Sequence, residues 1–368
     1  MMTPWSSYRI DLERAPVRLW NAFGRIQAHG EALREIRLAP DAAASLTRRW
    51  RQPAAAATAA FLVDSASPAA MASSDELAAA VAALYDAIDA DHDSAPGFAA
   101  DPGLKPEALC QDNATLAELA AAAAASAEAA SVEAASIATQ FTEPASESWA
   151  RLGQFCQWLE GQEFRTTEDD ALQTAFLRAV GAVFHLSLLR PFRQCSGATA
   201  DLLGYRMLRL AGLPPMTAHL PAVVRARRPD RFRELLVEAA VNNGVPTGFV
   251  TEMVAGVLDG MREQIAAAHA ILADAAWRQY ADAVFRGRMG KADLRRRLLL
   301  DGLSAADAPV RLGRLRRLTP SLAEAYAGRS DKTLSRDIIW LEQEGLLVRG
   351  LAGVRPRREA LATLGQAA

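Results

Sequence analysis

Apolar residues recur at mostly helical intervals through the first 280 positions, and no strand pattern of comparable strength interrupts them. Leu12, Trp20, Phe23, Ile26, Leu33 and Ile36 predict one or two packed helices over 12–38, a pattern that Gly24 and Gly30 weaken without destroying. From 52 to 72 the chain is alanine-rich with scattered prolines. DELAAAVAALYDAIDA (75–90), capped by Ser74 or Asp75, predicts a helix ending near Asp91, and the Asp, Ser, Gly and Pro of 91–106 predict a surface loop. The low-complexity stretch 114–138 is expected to be helical, because alanine loses no side-chain entropy there; such a helix packs closely or merely spaces.

An amphipathic helix is predicted over Ser146–Gly161, with Trp149, Leu152, Phe155, Cys156 and Leu159 on one face, then a polar loop over 161–170. Leu172 to Leu189 is apolar nearly all round, so this helix is expected at the centre of a domain. A loop, RPFRQCSGAT (190–199), leads to a second helix, ADLLGYRMLRLAG, closed by Gly212 and stopped by Leu213-Pro214-Pro215.

The pattern changes near the C-terminus. KADLRRRLLLDGL and RLGRLRRL are basic clusters, after which Thr319 can cap a short helix with Pro320 at its first position and Gly328 beyond it. Ser330 or Asp331 can cap a longer helix whose apolar face is Leu334, Ile338 and Leu341, with Ile339 expected to extend it. Short helix, tight turn, second helix is the helix-turn-helix order. Gly345-Leu346-Leu347-Val348 and VRGLAGVRPR then carry the β-branched residues, glycines and arginines of a small hairpin.

Composition adds three constraints. At 368 residues the chain is long enough for two or three domains at about 100 to 200 residues each. Its 51% hydrophobic share leans on alanine, which favours helices. Cys110, Cys156 and Cys195 show neither CxxC nor Cys/His metal spacing, so no disulfide framework, zinc site or other metal site is expected and a reducing cytoplasm is the natural setting. Pro4, Asp11 and Glu13 break the apolar core that a signal peptide needs, and no run of about 18 bulky apolar residues offers a membrane span. The expectation is a soluble cytoplasmic protein with no membrane partner.

The net charge of −2 conceals an asymmetry: from Arg278 onward 18 Lys/Arg face 10 Asp/Glu, a balance of +8, against −10 before it. A basic end on an acidic chain points to a polyanion partner for that end.

The order helix, Pro-Phe loop, helix, Gly-Leu-Pro resembles the core of the Fic/Doc (Fido) family, whose signature is His-Pro-Phe-x-Asp/Glu-Gly-Asn-Gly-Arg-x-x-Arg. The residues here run Arg190-Pro191-Phe192-Arg193-Gln194-Cys195-Ser196-Gly197-Ala198-Thr199-Ala200-Asp201. The likeness covers about 140 residues: FTEPASESWARLGQFCQWLEG (141–161) is similar to the helix preceding that core, and LPAVVRARRPDRFRELLVEA (220–239) to the helices that follow. Active members, as the resemblance implies, use the histidine as base in AMP transfer, the acidic residue for the metal and the Gly-Asn-Gly backbone with its arginines as an anion hole. Here Arg190 replaces the base, and a guanidinium cannot take a proton. Gln194 brings no charge for Mg²⁺, Cys195 carries a Cβ where a glycine admits phosphate, and Ala198 and Asp201 replace the arginines, with Asp201 expected to repel phosphate at the helix N-terminus. Pro191, Phe192, Ser196 and Gly197 complete a degenerate loop in which no catalytic residue is assigned. His185, flanked by apolar VFHLSLL, reads as a core histidine rather than a substitute base. The inhibitory Ser/Thr-x-x-x-Glu-Gly/Asn motif has no match: Glu160-Gly161 has Cys156 four residues before it.

The C-terminal segment resembles the winged-helix family, through Ser330, Thr333, Arg336, Asp337, Ile338, Leu341, Gly345, Leu346 and Leu347. That resemblance implies a recognition helix presenting Lys332, Thr333, Ser335 and Arg336 to the major groove, and Arg349, Arg355, Arg357 and Arg358 near phosphates from the wing. Trp340 is expected to pack in the core rather than stack on bases.

The expected fold is therefore mainly α, with an N-terminal helical region (1–140), a Fic-like helical core (141–280) and a small α/β winged helix-turn-helix domain (291–368). The expected function is a non-catalytic, DNA-binding transcriptional regulator without a cofactor, compatible with a homodimer. The alternatives are a diverged enzyme transferring AMP or a related group to a protein hydroxyl, which alone would need ATP and Mg²⁺, and a non-enzymatic subunit that docks a protein partner.

Overall fold

The structure is a computed structural model describing residues 15–63, 74–94, 105–127, 146–161, 164, 171–192, 195–242, 244–306 and 308–358. The chain divides into two compact units, Met1–Ala266 and Ala267–Ala368, and among the described residues all regular structure except one hairpin is helical. The mainly α expectation holds, for the reason the alanine content suggested.

The first unit contains α1 (Val17–Glu35), α2 (Pro40–Val63), α3 (Ser74–Ser94), α4 (Pro106–Ala127), α5 (Ser146–Leu159), α6 (Ala171–Leu189), α7 (Ser196–Leu210), α8 (Pro215–Ala218), α9 (Leu220–Arg227) and α10 (Pro229–Val241). The long α11 (Thr247–Phe285) runs on from it through the division. At the centre lies the α6–α7 pair. Among the described residues α6 is the one helix long and apolar enough, by length and composition, to cross a membrane, yet Phe176, Val180, Val183 and Phe184 are core positions. Each such side chain contributes roughly 1.5–3 kcal/mol by leaving water. The two helices approach closely because residue 204 is glycine: a Cβ there would lie 2.9 Å from Val183 Cγ2.

Around this pair, α1 packs on α6, α4 on α7, and α2 on α3, α7, α8 and α9. Two expected boundaries move, and a stretch to which the sequence assigned no element is helical. The proline-bearing stretch after Gln52 is helical through Pro53, since Ala54, Ala55, Thr58, Ala59 and Leu62 are buried there and tertiary packing outweighs the proline. Helix α3 runs past Asp91 to Ser94, and α4 begins at Pro106, where a proline is suited to a first turn. The expected helix over 128–138 and most of the loop 161–170 lie outside the described residues. On α5, Leu152, Phe155, Cys156 and Leu159 are buried as a face, whereas Trp149 in the first turn is 37% exposed.

The second unit adds α12 (Lys291–Ser304), α13 (Leu312–Leu315), α14 (Pro320–Ala325), α15 (Asp331–Gln343), β1 (Leu347–Gly350) and β2 (Gly353–Pro356). The strands are antiparallel, with Val348 opposite Arg355 and Arg349 opposite Val354. Leu299, Leu300, Leu303, Leu315, Leu322, Leu334, Ile338, Leu341, Leu346 and Val354 form its core. Thr319 caps α14 by accepting from the Leu322 amide at 3.2 Å, with Pro320 at the first position. Residue 353 must be glycine: its φ is 138°, and a Cβ would strike the carbonyl of Val310, which bridges to Val354.

Candidate functional site

The turn between α6 and α7 is shorter than 190–199. Helix α7 begins at Ser196, four residues before the expected Ala200, because left-handed Cys195 (φ 59°) ends the turn and side chains close it. The Ser196 hydroxyl donates to the Phe192 carbonyl at 3.0 Å and faces the Phe192 amide at 3.3 Å, while Thr199 Oγ1 donates to the Cys195 carbonyl at 3.0 Å. Arg190 is exposed with φ 42°, and Pro191 and Phe192 are buried. Arg193 and Gln194 lie outside the described residues.

Two features fill the space where this turn could admit an anion. The Phe61 ring of α2 lies against Gly197, so a Cβ there would come within 2.6 Å of it. Cys195 is buried, and burial pushes its thiol up to about 12, which keeps it protonated near neutrality. His185 is buried edge-on to Trp158 and Phe184, with ring centroids 4.8 and 5.0 Å away.

Asp201 departs from expectation. Instead of facing a phosphate at the helix N-terminus, its buried carboxylate is ion-paired with Arg225 of α9 and accepts from Thr58 Oγ1 of α2 at 3.1 Å. Burial outweighs the Arg225 charge and holds this carboxyl above the ordinary range. The pair belongs to a longer polar seam joining α2, α3, α7 and α9. Thr58 meets the Tyr85 hydroxyl at 2.9 Å, and Asp89 accepts from Tyr205 at 2.7 Å, Arg209 at 2.6 Å and Arg51 at 2.7 Å. His219 stacks on Tyr205 at 4.4 Å and lies edge-on to Tyr85 at 4.6 Å. Among the described residues neither His219 nitrogen has a hydrogen-bond partner, and burial, with Arg51 and Arg209 nearby, holds its pKa well below the ordinary value. Sequence periodicity could not reveal this seam, because its members are far apart in the chain and each reads singly as a surface residue.

The second unit presents a different surface. Along α15 one face buries Leu334, Asp337, Ile338 and Leu341, and the opposite face exposes Lys332, Ser335, Arg336 and Ile339. Thr333 is half-buried, 3.4 Å from the Ser330 hydroxyl. Among the described residues Lys332 and Arg336 pair with no carboxylate. Arg349 on β1 binds Glu342 through both Nε and Nη2, at 3.2 and 2.9 Å. Arg355 and Arg357 are exposed on and just after β2, whereas Arg358 is drawn to Asp274 and the Ser304 carbonyl. Ile339, expected to extend the apolar face, is instead 45% exposed, because the helix turns it to the side opposite Leu334 and Leu341. Trp340 is half-buried against Phe285, with Arg296 at 4.4 Å and Arg288 at 5.0 Å from its ring centre.

The basic cluster of α12 is committed internally. Arg295 and Arg296 both donate to Asp337, and Arg297 pairs with Asp282 and Asp301. These arginines, which the charge balance assigned to a polyanion, are instead held by acids the sequence does not place beside them: Asp337 of α15 for Arg295 and Arg296, and Asp282 and Asp301 for Arg297.

The chain matches no protein-family model and no curated protein.

Proposed function

We propose that this chain is a DNA-binding regulator, in which the second unit acts as a winged helix and the first is a Fic-like scaffold without transfer chemistry. One observation carries the DNA-binding reading: Lys332, Ser335 and Arg336 share the exposed face of α15, and its two cations have no carboxylate partner among the described residues. Donors of that kind at the start of a helix suit phosphate and base edges in a major groove. The neighbouring hairpin, with Arg357 exposed just after β2, adds a cation of the kind a wing would set on phosphates.

What supports a scaffold role for the first unit is chemical. Arg190 supplies no base, Cys195 is a buried thiol, and Phe61 fills the space beside Gly197. Asp201, far from binding metal or phosphate, is consumed by Arg225 and Thr58.

The test is equilibrium binding of the full chain to random duplex DNA across a salt series. Three contacts from Lys332, Arg336 and Arg357 predict log K falling with log salt at a slope of about −3. Absence of binding at low salt contradicts the reading. Incubation with ATP and Mg²⁺, followed by intact-mass measurement of the chain and of lysate proteins, is expected to give no nucleotide adduct; an adduct contradicts the scaffold role.

A further inference from the structure

We infer that Ile339 is a specificity-determining residue that reads a pyrimidine 5-methyl group in the major groove; the inference rests on the DNA-binding reading of the same helix face. Lys332, Ser335, Arg336 and Ile339 stand at helical spacings that align them on one side of α15. Three carry hydrogen-bonding groups and the fourth carries only hydrocarbon.

The structure gives that hydrocarbon no partner role in the core. Ile339 is 45% exposed while its neighbour Ile338 is 1% exposed. β-Branching at an exposed helix position lowers helix propensity relative to lysine, arginine or alanine, so local stability does not account for the residue. Base edges in the major groove offer donors, acceptors and one apolar substituent, the 5-methyl of thymine, which 5-methylcytosine also carries. A face that ends in Arg336 and Ile339, one turn apart at most, matches a guanine edge beside a methylated pyrimidine: the guanidinium forks onto O6 and N7, and the isoleucine covers the methyl. Covering one methyl is worth about a fourfold change in affinity.

The experiment uses the full chain. A preferred duplex is selected from a random pool, and each thymine in it is replaced singly by uracil, which removes only the methyl. The wild type is expected to lose about fourfold at one position, Ile339→Gln to lose nothing there, and Ile339→Val to keep the discrimination. Both variants are surface changes and are checked for unaltered salt-dependent binding to random DNA. A parallel selection from a pool built with 5-methylcytosine separates the two sources of the methyl. Thymine retained in both pools assigns it to thymine, and a shift to 5-methylcytosine assigns it to the modified base. If every uracil replacement is neutral while salt-dependent binding persists, the inference is overturned and the DNA-binding reading stands. If the wild type binds no duplex at low salt, both are overturned.

Discussion

Arg295 of α12 forks onto Asp337 of α15, its Nε 2.7 Å and its Nη2 3.2 Å from the two carboxylate oxygens. The same carboxylate accepts from Arg296 Nε at 3.0 Å and from the Tyr326 hydroxyl at 2.9 Å, so one buried acid ties α12 and the turn after α14 to the helix that exposes Lys332 and Arg336. Burial, with this carboxylate's charge, raises the Tyr326 hydroxyl above its ordinary range, and the hydrogen bond to the same carboxylate raises Arg295. Removing one member of such an arrangement strands the others.

Asp337→Ala is therefore expected to destabilise the second unit by about 3 kcal/mol, the cost of leaving mostly buried cations without their partner. Hydrogen exchange at the α15 amides in the full chain measures it. Protection equal to wild type would show that the carboxylate does not hold the helix.

His219 makes stability depend on acid. Its pKa is held well below the ordinary 6.5, so between those two values the unfolded chain binds a proton that the folded chain refuses. Stability is full above about 6.5 and falls as the pH drops below it, by up to about 1.4 kcal/mol per pH unit from this group. His29, lowered by burial and by Arg262 and Arg25, acts in the same direction. His219→Phe keeps a ring against Tyr205 and Tyr85, and is expected to flatten the stability profile between pH 6.5 and 5 measured by urea unfolding. An unchanged slope would place the acid sensitivity elsewhere.

Much of this architecture was legible in the amino-acid pattern. The apolar wrap of 172–189 marked the central helix, Thr319-Pro320 marked the start of α14, and the glycine-bounded VRGLAGVRP stretch marked the hairpin. Burial on one helix face follows period alone, which is why Leu334, Ile338 and Leu341 were found. Pairing between distant charges has no period. Asp201 with Arg225, and Asp337 with Arg295 and Arg296, looked like an anion repellent and a polyanion-binding cluster until the fold set them together. Phe61 closing on Gly197 was hidden for the same reason.

The Asp201 pair yields a reversal experiment. If the turn before α7 were a phosphate site in waiting, Asp201→Arg would restore the arginine of the proposed Fic likeness at little cost. The buried geometry predicts the opposite: two guanidiniums, at 201 and 225, would meet in the core, and Thr58 would lose its acceptor. A loss of about 3 kcal/mol or more is expected in thermal unfolding, against roughly 0.5 kcal/mol for a surface exchange. A near-wild-type melting temperature contradicts the pair.

The proposed hold of the α15 cations on DNA is tested by comparing the full chain with its Lys332→Ala/Arg336→Ala variant on random duplex DNA at two salt concentrations. Both side chains are exposed, so folding is expected to be unchanged. Salt-dependent binding is expected of the wild type, and of the variant weaker binding whose slope against log salt is shallower by about 2. Equal affinity and slope for the two proteins, or no binding by either at low salt, would contradict the proposed hold.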